Sequence, residues 1–427
     1  MKYPDYPLMS KEKKNTMTPR LRFPEFREAG EWEEPTLSEI SERIDEKVGD
    51  LLLTTVSITA GSGFVAQAEK FGRDISGEQY KNYIILKEGE FAYNKGNSKR
   101  YPQGCIYKLR EFKQAAAPNA FICFRFKRNY VADFFQGYFD NNYHGKQLQK
   151  FITSGARSDG LLNISPDDFF SIKLPTPTTK AEQQKIAATL TSLDDLIAAQ
   201  SEKIKALQAH KKGLMQQLFP AEGEMVPRLR FKEFEGAGKW EIRQLNEFIT
   251  ERNQFSINKL PLYSLTIENG ITPKTERYER SFLVRDEEEA YKLVCPNDFA
   301  YNPMNLRFGA IARHAGNNKV AVSKYYNIFY CDDSVDSIFC EFYFKSYGMI
   351  SFYDDVATGS LIEKRRVHFS DFLRFNIHFP KLEEQQKIAA CLISLDNLIA
   401  AQSEKLEALK AHKKGLIQQL FPNPNEA

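Results

Sequence analysis

Glu182-Gln183-Gln184-Lys185-Ile186-Ala187-Ala188 opens a stretch that runs without a gap to Leu218-Phe219-Pro220. Glu384-Gln385-Gln386-Lys387-Ile388-Ala389-Ala390 opens a second that runs to Leu420-Phe421-Pro422. The offset is a constant 202, and 32 of the 39 positions are identical. Self-similarity of this kind organises a fold before any other signal is read. In the first copy Ile186, Leu190, Leu193, Ile197, Gln200, Ile204, Leu207, Lys211, Leu214 and Leu218 are spaced four-three-four-three. The second copy repeats the spacing at Ile388, Leu392, Leu395, Ile399, Gln402, Leu406, Leu409, Lys413, Leu416 and Leu420. This is the seam of a coiled-coil helix, and two seams in one chain most simply pair with each other. Thr179 with Glu182 fits a capping box at the first start, and Pro220 and Pro422 stop both helices. Gly213 and Gly415 each cost about 1 kcal/mol in a helix, which predicts a bent or frayed last turn.

A second repeat precedes each helix at a distance. Pro19-Arg20-Leu21-Arg22-Phe23 with Gly30-Glu31-Trp32-Glu33 matches Pro227-Arg228-Leu229-Arg230-Phe231 with Gly238-Lys239-Trp240-Glu241. The chain therefore runs as lead-in motif, variable domain, long helix, then the same three again. The first helix delivers the chain to the second domain, so an antiparallel second helix returns it to the first. A ring cut once, with an internal pseudo-two-fold axis, is the expected outcome. The expected segments are a tail over 1–18, a first domain over 19–177 and a central helix over 178–220. A second domain over 221–380, a C-terminal helix over 381–422 and a tail over 423–427 complete them. The expected class is α+β, with two mixed α/β domains separated by two long antiparallel coiled-coil helices.

Two polar pairs interrupt the seam, Gln200/Gln402 and Lys211/Lys413. They read either as an exposed stretch or as residues that set register and direction. Apolar side chains also spill past the seam at Leu196, Met215, Leu398 and Ile417. That is a wider arc than a two-stranded seam needs, and it points to further partner helices.

Composition bounds the rest. The 427 residues carry 59 Lys and Arg against 56 Asp and Glu, so a net charge of +3 says nothing by itself about partners. Six cysteines form no Cys-x-x-Cys pair and six histidines form no metal spacing, which predicts free thiols in a reducing cytoplasm. No run approaches the roughly 18 apolar residues of a membrane span. Asn/Asp-Pro-Pro-Tyr/Phe, Gly-x-Gly-x-x-Gly and the P-loop are all missing; Tyr301-Asn302-Pro303-Met304 lacks the second proline and the aromatic. The acidic run 286–289 reads as a solvated loop. No catalytic residue, metal or cofactor is expected in this chain.

In the variable domains, Leu51–Val56, Tyr83–Leu86, Phe121–Phe126 and Tyr325–Tyr330 read as strands. Val131–Phe139, Gly145–Phe151 and Ser337–Tyr347 read as helices. They share the island Phe91-Ala92-Tyr93-Asn94 and Phe299-Ala300-Tyr301-Asn302. Basic, glycine-containing loops follow in matched places, with donors able to reach phosphates and base edges. The candidate DNA contacts are Asn94, Lys95, Asn97, Lys99, Arg100, Arg157 and Ser158 in the first domain. In the second they are Asn302, Asn305, Arg307, Ser360, Lys364, Arg365 and Arg366. What the halves share serves scaffold or phosphate positioning; what differs is where two base sequences are told apart.

The paired lead-in motifs, Leu174-Pro175, the Glu-Gln-Gln-Lys-Ile-Ala helix start and the Lys-Lys-Gly-Leu-x-Gln-Gln-Leu-Phe-Pro ending resemble the specificity subunits of type I restriction–modification enzymes. The resemblance covers essentially the whole chain. It implies two target-recognition domains, each reading one half of an asymmetric bipartite DNA site. It also implies assembly with two modification (methyltransferase) subunits and two restriction subunits. Their cofactors would be S-adenosylmethionine, ATP and Mg. A stand-alone bipartite DNA-binding regulator that self-associates through its helices, and a purely structural adaptor, are the competing readings. A helix of 39 residues spans roughly 58 Å, about 17 base pairs, so the helices would act as a ruler.

Overall fold

A computed structural model describes residues 17–59, 61–96, 101–152, 162–221, 223–256, 260–274, 291–359 and 365–422. The chain forms two compact units. One comprises Met1–Ser201 with Glu404–Ala427, the other Glu202–Ser403. Both boundaries fall inside the long helices Lys180–Leu218 and Leu382–Leu420, each of 39 residues. A helix therefore begins in one unit and ends in the other. Gly213 and Gly415 sit within continuous helix, and a side chain at either would meet open space.

The first unit is built on a four-stranded antiparallel sheet in the order Ser41–Ile44, Ile122–Phe126, Phe91–Asn94, Cys105–Lys108. The second unit has the same order, Ile249–Glu251, Asn327–Cys331, Phe299–Tyr301, Ile311–Arg313. The shared Phe-Ala-Tyr island is an inner strand of each sheet. Alternation sends its side chains to opposite faces. Phe91 and Tyr93 enter an aromatic core under helix Ala132–Asp140, while Ala92 enters a second core with Ile58 and Cys123. Phe299 and Tyr301 likewise face helix Ser337–Phe344, and Ala300 joins Ile328 and Val322. Phe91 stacks on its cross-strand partner Phe124 at 5.4 Å, and Phe299 on Phe329 at 5.0 Å. With both faces covered, these strands read as nearly continuous apolar runs.

One expected strand is absent as drawn. Leu51–Val56 is apolar, but the strand starts only at Val56 and runs to Thr59. The Leu53 amide donates to the Tyr80 hydroxyl at 2.7 Å, and that hydroxyl donates to the Leu51 carbonyl at 2.7 Å. A side chain thus takes the backbone groups a neighbouring strand would use, and Leu52 is left 96% exposed.

Inside each unit the start of one long helix packs beside the end of the other. Ile186, Ala187 and Leu190 share the first unit's core with Ile417, Leu420 and Phe421. Ile388, Ala389 and Leu392 share the second unit's core with Leu218 and Phe219. Every seam position is buried or half-buried, whereas Leu196 and Leu398 stay 45% and 41% exposed. Ile417 departs from the expectation of a free apolar arc, because it is buried in the first core. Among the described residues no helix is long and apolar enough to cross a membrane.

Candidate nucleic-acid interface

The lead-in motif and the helix start, far apart in sequence, meet in both units. Arg22 grips Glu182 with two hydrogen bonds, Nε to Oε1 at 2.8 Å and Nη2 to Oε2 at 2.7 Å, while Trp32 Nε1 donates to Oε1 at 3.3 Å. Arg230 grips Glu384 at 2.7 and 2.7 Å, and Trp240 adds its indole donor at 3.4 Å. Gln183 then receives the Val131 amide and donates to the Pro177 carbonyl; Gln385 does the same with Asp336 and Pro380. The Glu-Gln pair is thus a socket that fixes the start of the long helix on its domain. The capping box expected at Thr179 is half made. Thr179 Oγ1 accepts the Glu182 amide at 3.3 Å, but the Glu182 carboxylate is taken by Arg22 and Trp32 and does not reach back.

On this frame the inner strand delivers the candidate loop. Tyr93 is fully buried, stacks on Phe169 at 4.6 Å and donates to the Gln103 carbonyl at 2.7 Å. Tyr301 stacks on Phe372 at 5.2 Å and donates to the Val367 carbonyl. Burial drives both phenols well above their ordinary range. Asn94 Oδ1 accepts the amide of Gly96 at 2.8 Å, and Asn302 Oδ1 accepts that of Met304 at 3.1 Å. These side chains turn the strand into its loop, so the shared Tyr-Asn pair performs a scaffold task in each half. Gly104 closes the first loop with φ of +79°; a Cβ there would lie 2.5 Å from the Asn94 carbonyl oxygen.

In each domain the first basic segment is tied to residues that follow the second one in sequence. In the first unit the Leu162 amide donates to the Lys95 carbonyl at 3.0 Å, and Lys95 Nζ donates to the Ile164 carbonyl at 3.2 Å. In the second the Val367 amide donates to the Pro303 carbonyl at 3.1 Å. Asn305 and Arg366 are exposed, and the Arg366 backbone pairs with Thr358. Arg307 Nη1 donates to Asp354 Oδ1 at 3.1 Å, with its guanidinium over Phe308. Arg365 spends its guanidinium on the end of helix Tyr347–Val356, through Asp354 and the Ala357 carbonyl at 3.2 Å. Asn97, Lys99, Arg100, Arg157, Ser158, Ser360 and Lys364 lie outside the described residues.

Sequence reading missed Asp354, which orients two of its candidate arginines. It also missed a row of amides beside the first loop. Asn142 donates to the Gln103 side chain at 3.1 Å, and Gln103 donates to Gln149 at 2.7 Å. Gln103 lies three residues after the candidate Arg100 in sequence, a proximity that was the available signal. Side-chain amides of this kind suit base-edge recognition. Among the described residues no cluster of three or more His, Cys, Asp or Glu side chains is placed to hold a metal ion.

A duplicated α+β module, each copy turning a different loop sequence out of a common frame, is the class this geometry defines. The family model described as "Type I restriction modification DNA specificity domain" matches residues 30–209 and 343–411, more than half of the chain, and the chain belongs to that family. It is 26% identical over 307 residues to the type I restriction enzyme MjaVIII specificity subunit of Methanocaldococcus jannaschii, covering 65% of this chain and 68% of that one. It is also 26% identical over 321 residues to the putative MjaX specificity subunit of the same organism, covering 70% of each. Among solved structures, the type I restriction-modification system S subunit from M. genitalium superposes with a TM-score of 0.54 at 14% identity, over 95% of this chain and 99% of that one. A chain from a study of assembly and conformational transition in the type I R-M system gives 0.54 at 15% identity, over 92% and 98%. These two likenesses concern the fold.

Proposed function

We propose that the two units read the two halves of one bipartite, asymmetric DNA site, and that differences between their loop pairs make the halves differ. The chain is a DNA-specificity subunit of a type I restriction–modification system, and the bond-making and bond-breaking steps belong to its partners. The observation that carries the two-half reading is the repetition itself. The same sheet order, Tyr-Asn turn and Arg–Trp–Glu socket recur around loops of unrelated sequence. A common frame with divergent loops is what two different base sequences require. Recognition would use Lys95, Asn97, Lys99, Arg100, Arg157 and Ser158 in one half, with Asn94 shaping the loop. In the other half it would use Asn305, Arg307, Ser360, Lys364, Arg365 and Arg366, with Asn302 in the shaping place.

The paired helices form an antiparallel coiled coil that sets the spacer, and the repeat gives the chain a pseudo-two-fold axis. The exposed Leu196 and Leu398 support docking of two modification subunits on the helices. Two restriction subunits complete the assembly in the cytoplasm, and S-adenosylmethionine, ATP and Mg are held by the partners. Methylation mapping in cells that carry this chain with its modification subunit tests the whole reading. Methylation at one two-part sequence with a fixed gap is expected. Methylation absent, or confined to a single undivided sequence, would remove it, as would an unchanged mass when the two proteins are mixed at micromolar concentration.

A further inference from the structure

The seam lysines do more than interrupt an apolar stripe. Lys413 Nζ lies 2.7 Å from Asp194 Oδ1 on the other long helix and 3.1 Å from Asp140 Oδ2 on the recognition domain. Asp140 is itself held by Gln136 Nε2 at 2.7 Å, and Gln136 Oε1 accepts the backbone amide of Lys108 at 2.8 Å. Lys108 ends strand Cys105–Lys108, which pairs directly with the strand that carries Asn94 into its loop. A chain of polar contacts thus joins the recognition sheet to both long helices. Burial alone would lower the Lys413 pKa, but the two carboxylates outweigh it and the net shift is upward.

The second unit uses the repeat-equivalent lysine differently. Lys211 Nζ lies 2.5 and 2.7 Å from the two oxygens of Asp396, the equivalent of Asp194. Its domain-side partner is the ring of Phe342, 4.9 Å from the ammonium. Phe342 stands where the first domain has Gly137, one residue before the tyrosines that pack against the helix ends, Tyr138 on Phe421 and Tyr343 on Phe219. The lysine–aspartate pair is common to both units, while the domain supplies a carboxylate in one and an aromatic face in the other. Both satisfy an ammonium.

We propose that Lys413 and Lys211 are positioning residues that fix the angle of each recognition domain on the helix pair. Any domain that offers an acceptor there, charged or aromatic, can be seated on the same helices. The location makes a polar tie necessary. The Lys413 contact lies in the wall of a cleft of about 690 Å³ between Tyr107 and Arg110 of the domain and Lys414 of the helix. Close packing, which elsewhere holds the interface, is missing at that edge.

The inference rests on the bipartite reading, and one experiment separates the two. The full chain is expressed with its modification subunit, and methylated sites are mapped for the wild type, Asp140→Asn, Lys413→Met and Lys413→Arg. A wild type that methylates no two-part site defeats the underlying reading, whatever the variants do. If it does methylate one, Asp140→Asn and Lys413→Met should keep both half-site sequences but spread methylation to gaps one base pair longer or shorter. Lys413→Arg, which keeps the charge, should restore the single gap. A gap distribution unchanged in Asp140→Asn overturns the proposal, even if overall methylation falls, because a merely structural role lowers the amount without moving the gap. Should Lys413→Met fail to fold, Asp140→Asn decides alone, since it leaves the lysine paired with Asp194.

Discussion

Arg22 and Glu182, separated by 160 residues, form a bidentate ion pair in which the glutamate side chain is fully buried and the arginine is 6% exposed. Arg230 and Glu384 repeat it across 154 residues. The pair locks the lead-in motif to the first turn of the long helix. It gives a physical reason for those two motifs to stay alike in both halves, while the sequence between them diverges outside the Phe-Ala-Tyr-Asn island.

Removing one partner leaves the other charged, buried and uncompensated. Glu182→Gln should therefore destabilise the first unit by roughly 3–5 kcal/mol, read as a shift of its urea unfolding midpoint. Arg22→Lys should rescue little, because an ammonium cannot supply the two-pronged donor that both carboxylate oxygens use. Stability within 0.5 kcal/mol of the wild type for Glu182→Gln would show the pair to be incidental.

A second expectation concerns acid. His144 is fully buried beside Tyr93 and Phe139, and burial drives its pKa down to about 4 from an ordinary 6.5. The unfolded chain binds the proton first, so stability is present above pH 6.5 and drains as the pH falls toward 4. The loss between pH 7 and pH 5 should be about 2 kcal/mol, measured by urea unfolding at the two values. His144→Phe, which cannot take up a proton, should flatten that component. If the variant and the wild type lose stability in parallel, the histidine is not the source.

The long helices were legible because a heptad seam is a local, periodic signal that no tertiary contact has to complete. The sheets were legible where an apolar run is an inner strand, as at Phe121–Phe126. They were misread at Leu51–Val56, where the Tyr80 hydroxyl captures backbone groups that composition cannot reveal. The Arg22–Glu182 link was hidden for another reason. Both motifs were visible as repeats, yet nothing in local spacing says which distant carboxylate an arginine meets. The same holds for Lys413, whose polar seam position was readable while its partner Asp140, on the domain, was not. The candidate interface was read by type of residue. Its internal use of charge, with Arg307 and Arg365 both on Asp354, needed three dimensions.

Docking of the modification subunits gives a third prediction. Leu196 and Leu398 are repeat equivalents, exposed on helices whose neighbouring seam positions are covered. Exposed sites of this kind tolerate substitution within about 0.5 kcal/mol. Leu196→Glu with Leu398→Glu should leave the unfolding midpoint in place while abolishing the mass increase on mixing with the modification subunit. Retention of the full complex by the double variant would move the docking surface elsewhere.

The ruler makes the last prediction, and it depends on helical phase as well as length. Seven residues added to each helix, between Ser201 and Glu202 and between Ser403 and Glu404, preserve the seam and add about 10 Å, or three base pairs. Three base pairs also rotate one half-site by roughly a third of a turn, because one duplex turn takes about 10 base pairs. Domains held rigidly would then face different sides of the DNA, so a single added heptad should reduce methylation sharply at every gap. Three added heptads extend the helices by about 31 Å, or roughly nine base pairs, and bring the half-sites back to one face. Methylation should return, at a gap longer by about one duplex turn, in the same mapping assay. Recovery at the original gap would mean that the helices do not set the spacing, and a smooth decline with length would mean that they do not hold the domains in phase.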